Sequence, residues 1–572
     1  MKVNDVPNRL FRSLCLAALL GHAAPAALMA EADAGSYLAA RQAGFANDYE
    51  RAATYFDDAL AGDPTNPGLL ESAIVARIGL GDFAGTAPYL QTLSDEGLKS
   101  QIGNVARLVN AAEGGDWSSV HTLFESGETV GPLVDGLAQG WAFVGEGQMD
   151  QAIETFDEMI GTSGLKSYGL YHKALALAYV GDFEGADSIL SMSAADGLQP
   201  TRRGVLAHAE VMNQLGRGPD ALDLIDKSFG PSPDPVVALL RTRIEAGESF
   251  AFSLIPDAKA GMAEMYLSVA QTLQSEADPS YVLIYARAAQ ALAPKDPEAI
   301  LLSAQLLEAL ERYDLANATY SEIGPDNPAY LNAELGRAAA LRSAGKLDQA
   351  TEVLQALARS HPDVALVHAS LGDILRQSKD MKGANAAYTT ALSLYAADDV
   401  SAWFAHYTRG ITFEQLGDWP AAEADFRKAL ELNPGQPSIL NYLGYSLVER
   451  QENLDEALAM IEEAVAAQPD NGAIVDSLGW VLFRLGKYQE SIVHMEQAAA
   501  LEPVDPVVND HLGDVLWSVG REQEARFQWQ RALSFGPEEK DAVRIRRKLE
   551  IGLDAVLAEE GADPLAVARE DR

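Results

Sequence analysis

The residues that could act on a substrate are the histidines, the acids, the cysteine and any glycine-rich loop, so their spacing decides whether the chain holds a catalytic or metal centre. Nine histidines are spread over 572 residues, and no two stand at the His-Glu-x-x-His spacing that aims two imidazoles from one helical face at zinc. His494, in Val493-His494-Met495-Glu496, resembles such a site only superficially and reads as an ordinary helical histidine. Asp63, Thr65 and Glu71 lie around Gly68 as in a calcium loop, but Pro64 and Pro67 interrupt it and the acidic ladder is incomplete. Cys15 is the one cysteine, which excludes an intramolecular disulfide framework and any multi-cysteine zinc or iron-sulfur site in one chain. There is no phosphate loop with its lysine and no Gly-x-Ser-x-Gly elbow. The expectation is a protein that is not an enzyme, with no cofactor and no metal.

What remains is binding, and composition limits the partner. Lys plus Arg is 43 and Asp plus Glu is 83, a net charge of −40 that repels phosphate backbones and anionic lipid heads. Nucleic acid is therefore excluded as a partner, and a protein or peptide is expected. Hydrophobic residues at 48% supply enough apolar surface for a folded chain.

Residues 1–30 read as a secretory signal: Lys2, Arg9 and Arg12 precede the apolar run Leu14 to Leu20 and a small-residue stretch ends at Ala30. Cleavage after Ala26 or Ala30 fits, and the second is favoured because Glu31-Ala32-Asp33 follows. Asp5 and His22 depart from the pattern. A membrane-anchoring first helix is the alternative, but the run is far shorter than the ~20 residues a span needs. The mature chain would be more acidic and free of cysteine, which suits an oxidising compartment. Arg12 and Leu14 break the lipoprotein pattern before Cys15, so no lipid anchor is expected. The expected location is the periplasm, with association to the outer membrane left open.

The elements that position a binding surface show as a repeat. Gly410, Gly444, Gly479 and Gly513 recur at 34 or 35 positions, followed at near-constant offsets by Ala422, Ala457, Ser491 and Ala525, then Phe426, Ile461, Met495 and Trp529. Ala429, Ala464, Ala498 and Ala532 come next, then Pro434, Pro469, Pro503 and Pro537. This pattern resembles the tetratricopeptide repeat. The small first-helix residue lets two backbones approach, the large residues fill the remaining space, and the late proline ends the second helix. Gly417-Asp418-Trp419 and similar triplets place a left-handed stop, a helix cap and a core aromatic between the helices. The resemblance implies an all-α superhelix of antiparallel helix pairs, about fourteen units long, with no space for a separate catalytic domain. The expected organisation is a signal peptide over 1–30, N-terminal repeats over 31–235 and an irregular junction over 236–261. C-terminal repeats follow over 262–537, then a capping helix over 538–557 and a tail over 558–572. The capping helix carries Arg544, Arg546, Arg547 and Lys548, and a basic docking surface is its alternative role.

In that family the first helices line a concave groove, and positions two, five, nine and twelve of each repeat face it. The resemblance thus assigns to a partner-binding groove Asn441 and Tyr445, then Asp476, Trp480 and Phe483, then Asp510, Asp514 and Trp517. His511 falls at the groove edge or between units. Lys, Asn and Arg, which clamp a terminal carboxylate in the chaperone-tail binders, are replaced here by acids that would attract a Lys or Arg side chain or a free amine. Trp480 and Trp517 would offer cation-π faces, with inter-repeat core as the alternative.

Leu440-Asn441-Tyr442-Leu443-Gly444-Tyr445, Asp476-Ser477-Leu478-Gly479-Trp480 and His511-Leu512-Gly513-Asp514-Val515-Leu516-Trp517 resemble a family of Gram-negative envelope tetratricopeptide proteins over the last third of the chain. That family includes a lipoprotein adaptor of a carboxyl-terminal processing protease. The resemblance implies a non-catalytic adaptor holding such a protease and its substrates. The alternative is a structural assembly factor for the outer membrane, the cell wall or a secretion apparatus.

Overall fold

The computed structural model describes residues 35–230, 234–396 and 398–562. The signal-like segment 1–30 with Cys15, and the tail beyond residue 562, lie outside the described residues. Among the described residues there are helices and no strand, and the helices alternate as antiparallel pairs. The pairs run from 35–45 with Tyr49–Gly62 to Pro506–Ser518 with Glu522–Ser534. The fold is a tetratricopeptide-type helical solenoid. No described helix is long and apolar enough to cross a membrane.

The repeat glycines act by proximity. A Cβ on Gly410 would stand 2.6 Å from the Phe426 ring, and one on Gly513 would stand 2.4 Å from Trp529. Ser491 Oγ donates to the Gly479 carbonyl at 2.6 Å, so the small second-helix residue also lies against the first helix. Between helices, Gly417 takes a φ of 83° that a side chain would resist, and Asp418 accepts from Ala421 N. Asp505 accepts from Val507 N and Val508 N, and Pro506 fills the first helical position.

Two expectations change. Within 236–261, the helix Pro235–Glu245 occupies the first part and only 246–257 are irregular before Ala258–Leu273 begins. The chain divides into compact units between Val353 and Leu354, inside the helix Leu347–Ser360, and not at the junction. The reason lies in Ala258–Leu273. It is buried nearly all round, which demands cover on every side, and it packs against the first helices Pro132–Gly145 and Lys166–Tyr179 of earlier repeats. A Cβ on Gly261 would meet Trp141 at 2.2 Å. Tyr171 donates to Glu264 at 2.8 Å, and in the next helix Arg287 Nε donates to the Gly79 carbonyl at 3.2 Å. Helices assigned by sequence to the C-terminal array thus belong to the first unit and fill its inner face.

The second unit, from Leu354, continues the helix pairs, with a longer turn between Met381–Leu394 and Trp403–Gln415. It closes with Glu539–Ile551 and Leu553–Glu559, which pack after the last repeat pair.

Candidate functional site

The first helices Trp403–Gln415, Pro437–Arg450 and Gly472–Arg484, with the start of Pro506–Ser518, line a cleft of about 820 Å³. Parallel first helices place residues one repeat apart side by side, so Asn441 and Asp476 become neighbours across 35 positions. The cleft is acidic, with Glu414, Glu449, Asp476, Glu502 and Asp505 against Arg450, whose guanidinium lies over the Trp419 ring.

Several of these acids are already engaged. Glu414 accepts from Tyr442 Oη at 2.7 Å and Ser446 Oγ at 2.8 Å, and Glu449 accepts from Trp480 Nε1 at 2.6 Å. Asp476 is 5% exposed and pairs through Oδ2 with His511 Nδ1 at 2.9 Å. Its Oδ1, and Oδ1 of Asn441, are buried and make no hydrogen bond to a described residue. Burial, aided by Glu449 and Asp476, pushes the Tyr445 phenol well above its ordinary pKa.

Trp480 is 6% exposed. Its ring stacks on His511 at 3.9 Å and on Phe483 at 4.9 Å, so the core alternative describes it better than an open aromatic face. Phe483 is buried against Tyr488. Burial disfavours charge on His511, but Asp476, joined by Asp510 and Asp514, outweighs it and raises the pKa. These three residues form a wall behind the cleft. They fall there because Gly472–Arg484 packs against the next first helix, Pro506–Ser518, and the stacked rings of Trp480 and His511 fill that seam.

The last repeat differs more. Lys548 is 0% exposed and places Nζ 2.6 Å from both Asp510 Oδ1 and Asp514 Oδ1. Trp529 Nε1 also donates to Asp514 at 2.8 Å, and Arg544 approaches it at 3.4 Å. Burial pushes the Asp510 carboxyl up against the pull of Lys548. Trp517 Nε1 donates to Asp554 at 2.9 Å, and a Cβ on Gly552 would meet its ring at 2.6 Å. Asp510, Asp514 and Trp517, expected to face a partner, are therefore covered by the chain's own C-terminal helices. The expected attraction of these acids for a lysine is satisfied internally. Lys548 and Arg544 were visible in the sequence as part of a basic helix. The signal that pairs them is spacing: acids four apart on Pro506–Ser518, cations four apart on Glu539–Ile551, two helices later.

Of the nine residues, the cleft itself gathers Asn441, Tyr445 and Asp476. Sequence reasoning missed Glu449 and Glu502, which lie off the four family positions, and Glu414, which takes position twelve in the repeat that begins at Trp403, a repeat for which no groove residue was assigned. It also missed a cavity of about 940 Å³ in the first unit, beside the irregular stretch. Several of its charges are engaged: Arg202 pairs with Asp234 and Glu298, Arg203 with Glu264 and Asp296, and Glu210 accepts from Ser253.

Known proteins agree with the repeat. Residues 335–401 and 407–472 match the tetratricopeptide repeat model. A TPR repeat-containing protein of Pseudomonas aeruginosa is 31% identical over 186 residues, 32% of this chain, and the match spans 31% of that relative's length. Among solved structures, the APC/C hetero-tetramer Cut9–Hcn1 is similar over 91% of this chain and 96% of its own, at 15% identity and a TM-score of 0.39. Yeast Tom70 is similar over 75% of this chain and 98% of its own, at 13% identity and a TM-score of 0.32.

Proposed function

We propose that the chain is a non-catalytic protein-binding scaffold that grips its partner through the acidic cleft of the second unit. One observation carries the reading: Asp476 Oδ1 and Asn441 Oδ1 are buried acceptors that the chain leaves unbonded beside an open cleft. An unmet buried acceptor costs about 1–3 kcal/mol, and a ligand that donates to it recovers that cost on binding. The tetratricopeptide repeats support a protein or peptide as the ligand.

The finer reading is an adaptor in the periplasm. The signal-like residues 1–30 support export, and the runs Leu440 to Tyr445, Asp476 to Trp480 and His511 to Trp517 support a carboxyl-terminal processing protease as the partner through the family they resemble. Holding that protease and its substrate on one chain raises their effective concentration without chemistry of its own.

The test is affinity capture from solubilised cell envelope with the exported chain as bait, beside Tyr445→Ala. Recovery of a processing protease, lost with the variant, is the expected result. Recovery of cell-wall or outer-membrane assembly proteins without a protease would replace the adaptor by an assembly factor. Turnover of a substrate by the purified chain alone would end the scaffold reading.

A further inference from the structure

We infer that the cleft recognises a lysine side chain carried by a partner segment. This rests on the cleft being a partner site and names the chemistry it takes. The chain itself shows how this groove holds a lysine. Asn441, Asp476 and Asp510 occupy the same repeat position, 35 and 34 residues apart, and Tyr445, Trp480 and Asp514 occupy another. In the last repeat the two positions are both acids, and Lys548 Nζ bridges them at 2.6 Å each, with its charge over the Trp529 ring.

One repeat earlier the same acid has no lysine or arginine partner, only the imidazole of His511. Asp476 gives Oδ2 to His511, while Oδ1 is buried without a hydrogen bond to any described residue. Asn441 Oδ1, in the repeat before, is in the same state. Glu449, Glu502 and Asp505 add negative charge around the cleft. A primary ammonium has three donors and no acceptor, which suits acceptors carried on neighbouring first helices. A guanidinium is a planar fork that needs its acceptors in one plane. A carboxylate or phosphate would be repelled and would leave both oxygens unmet. Tyr445 and Val508 border the cleft and give the lysine stem an apolar path while its head reaches the acids. The net charge of −40 steers a basic segment inward.

The probe is a fluorescein-capped, amidated octapeptide of alternating Val and Lys, titrated with the full chain and read by anisotropy. The same peptide with Arg or with Glu in place of Lys is run beside it. The Lys peptide should bind and the Glu peptide should not. Asp476→Asn, which keeps the side-chain shape, should weaken Lys-peptide binding about tenfold. Glu502→Gln, on an exposed side chain, should also weaken it and serves if the first variant fails to fold. One charge removed from forty cannot produce a tenfold loss in diffuse attraction, so such a loss locates the contact. Undiminished binding by folded variants overturns the inference, as does failure of the Lys peptide to bind or equal affinity for the Arg peptide. Envelope capture separates this from the scaffold role. A chain that captures its partner through Tyr445 yet ignores the Lys peptide keeps the role and loses the lysine. A chain that binds the peptide and captures nothing loses the role.

Discussion

At the residue scale, two buried histidines have opposite relations to charge. His172 accepts from Trp141 Nε1 at 3.0 Å, and burial pushes its pKa down to about 3. Unfolded, it titrates near 6.5. Between those values the unfolded chain binds a proton that the folded one refuses. His172 therefore leaves stability intact above pH of about 6.5 and removes about 1.4 kcal/mol per unit as pH falls toward 3. His172→Gln keeps an acceptor for Trp141 and cannot titrate. Urea unfolding should show the wild type losing about 2 kcal/mol more than the variant between pH 7 and 5. An identical loss would mean the imidazole is not held neutral. His511 does the reverse. Its pKa is raised, because the carboxylates of Asp476, Asp510 and Asp514 outweigh burial, so its contribution is complete below pH of about 6.5 and fades as pH rises through the raised value. The wall behind the cleft is firmest in mild acid, and His511→Gln should flatten that dependence.

At the element scale, the C-terminal helix Glu539–Ile551 is held by a buried charge more than by apolar area, since Ala542, Ile545 and Lys548 are its buried residues. Lys548→Met fits the space of the stem but leaves Asp510 and Asp514 facing each other without the buried ammonium, with Arg544 reaching Asp514 alone and at 3.4 Å. Breaking a buried pair on one side costs about 3–5 kcal/mol, enough to release the helix. Limited proteolysis should cut after Gly536 in the variant and spare the wild type. Adding Asp510→Asn and Asp514→Asn to the variant should restore protection. Equal resistance in Lys548→Met would mean that Ile545 and Leu553 alone hold the cap. This element also marks what the sequence reveals. The repeat was legible because each glycine, from Gly410 to Gly513, must meet a large residue at a fixed offset, and that steric demand is local. The site was legible for Asn441, Tyr445 and Asp476, which a repeat position places on the inner face. It was not legible for Asp510 and Asp514, because repeat position says which face a residue takes and not what covers that face. The same limit hid the burial of Ala258–Leu273, whose partners Trp141 and Tyr171 lie more than ninety residues away. Its own composition carried the warning: Gly261, Met262, Ala263, Met265, Tyr266 and Leu267 leave little polar surface to show to water.

At the scale of the whole molecule, a solenoid is stabilised by neighbours, so a helix that fills an inner face changes how the chain comes apart. In the first unit, Ala258–Leu273 ties early repeats to later ones through Gly261 on Trp141 and Glu264 between Tyr171 and Arg203. Contacts that join distant repeats make them unfold together, where a bare stack would fray from its ends. The second unit has its own apolar core, from Trp419 to Leu553, and its own buried charges. Each unit therefore carries the means of its own cooperativity, and urea should unfold the chain in two transitions. Trp141 and Trp529 are fully buried, one in each unit. Cutting either to Ala removes about 3–5 kcal/mol, which moves a midpoint by about 1 M or more. Trp141→Ala should lower one midpoint and Trp529→Ala the other, followed by circular dichroism for helix content and by proteolysis for the unit that has opened. If either substitution lowers both midpoints equally, the helix Leu347–Ser360, which spans the division, transmits stability between the units and the chain folds as one cooperative array.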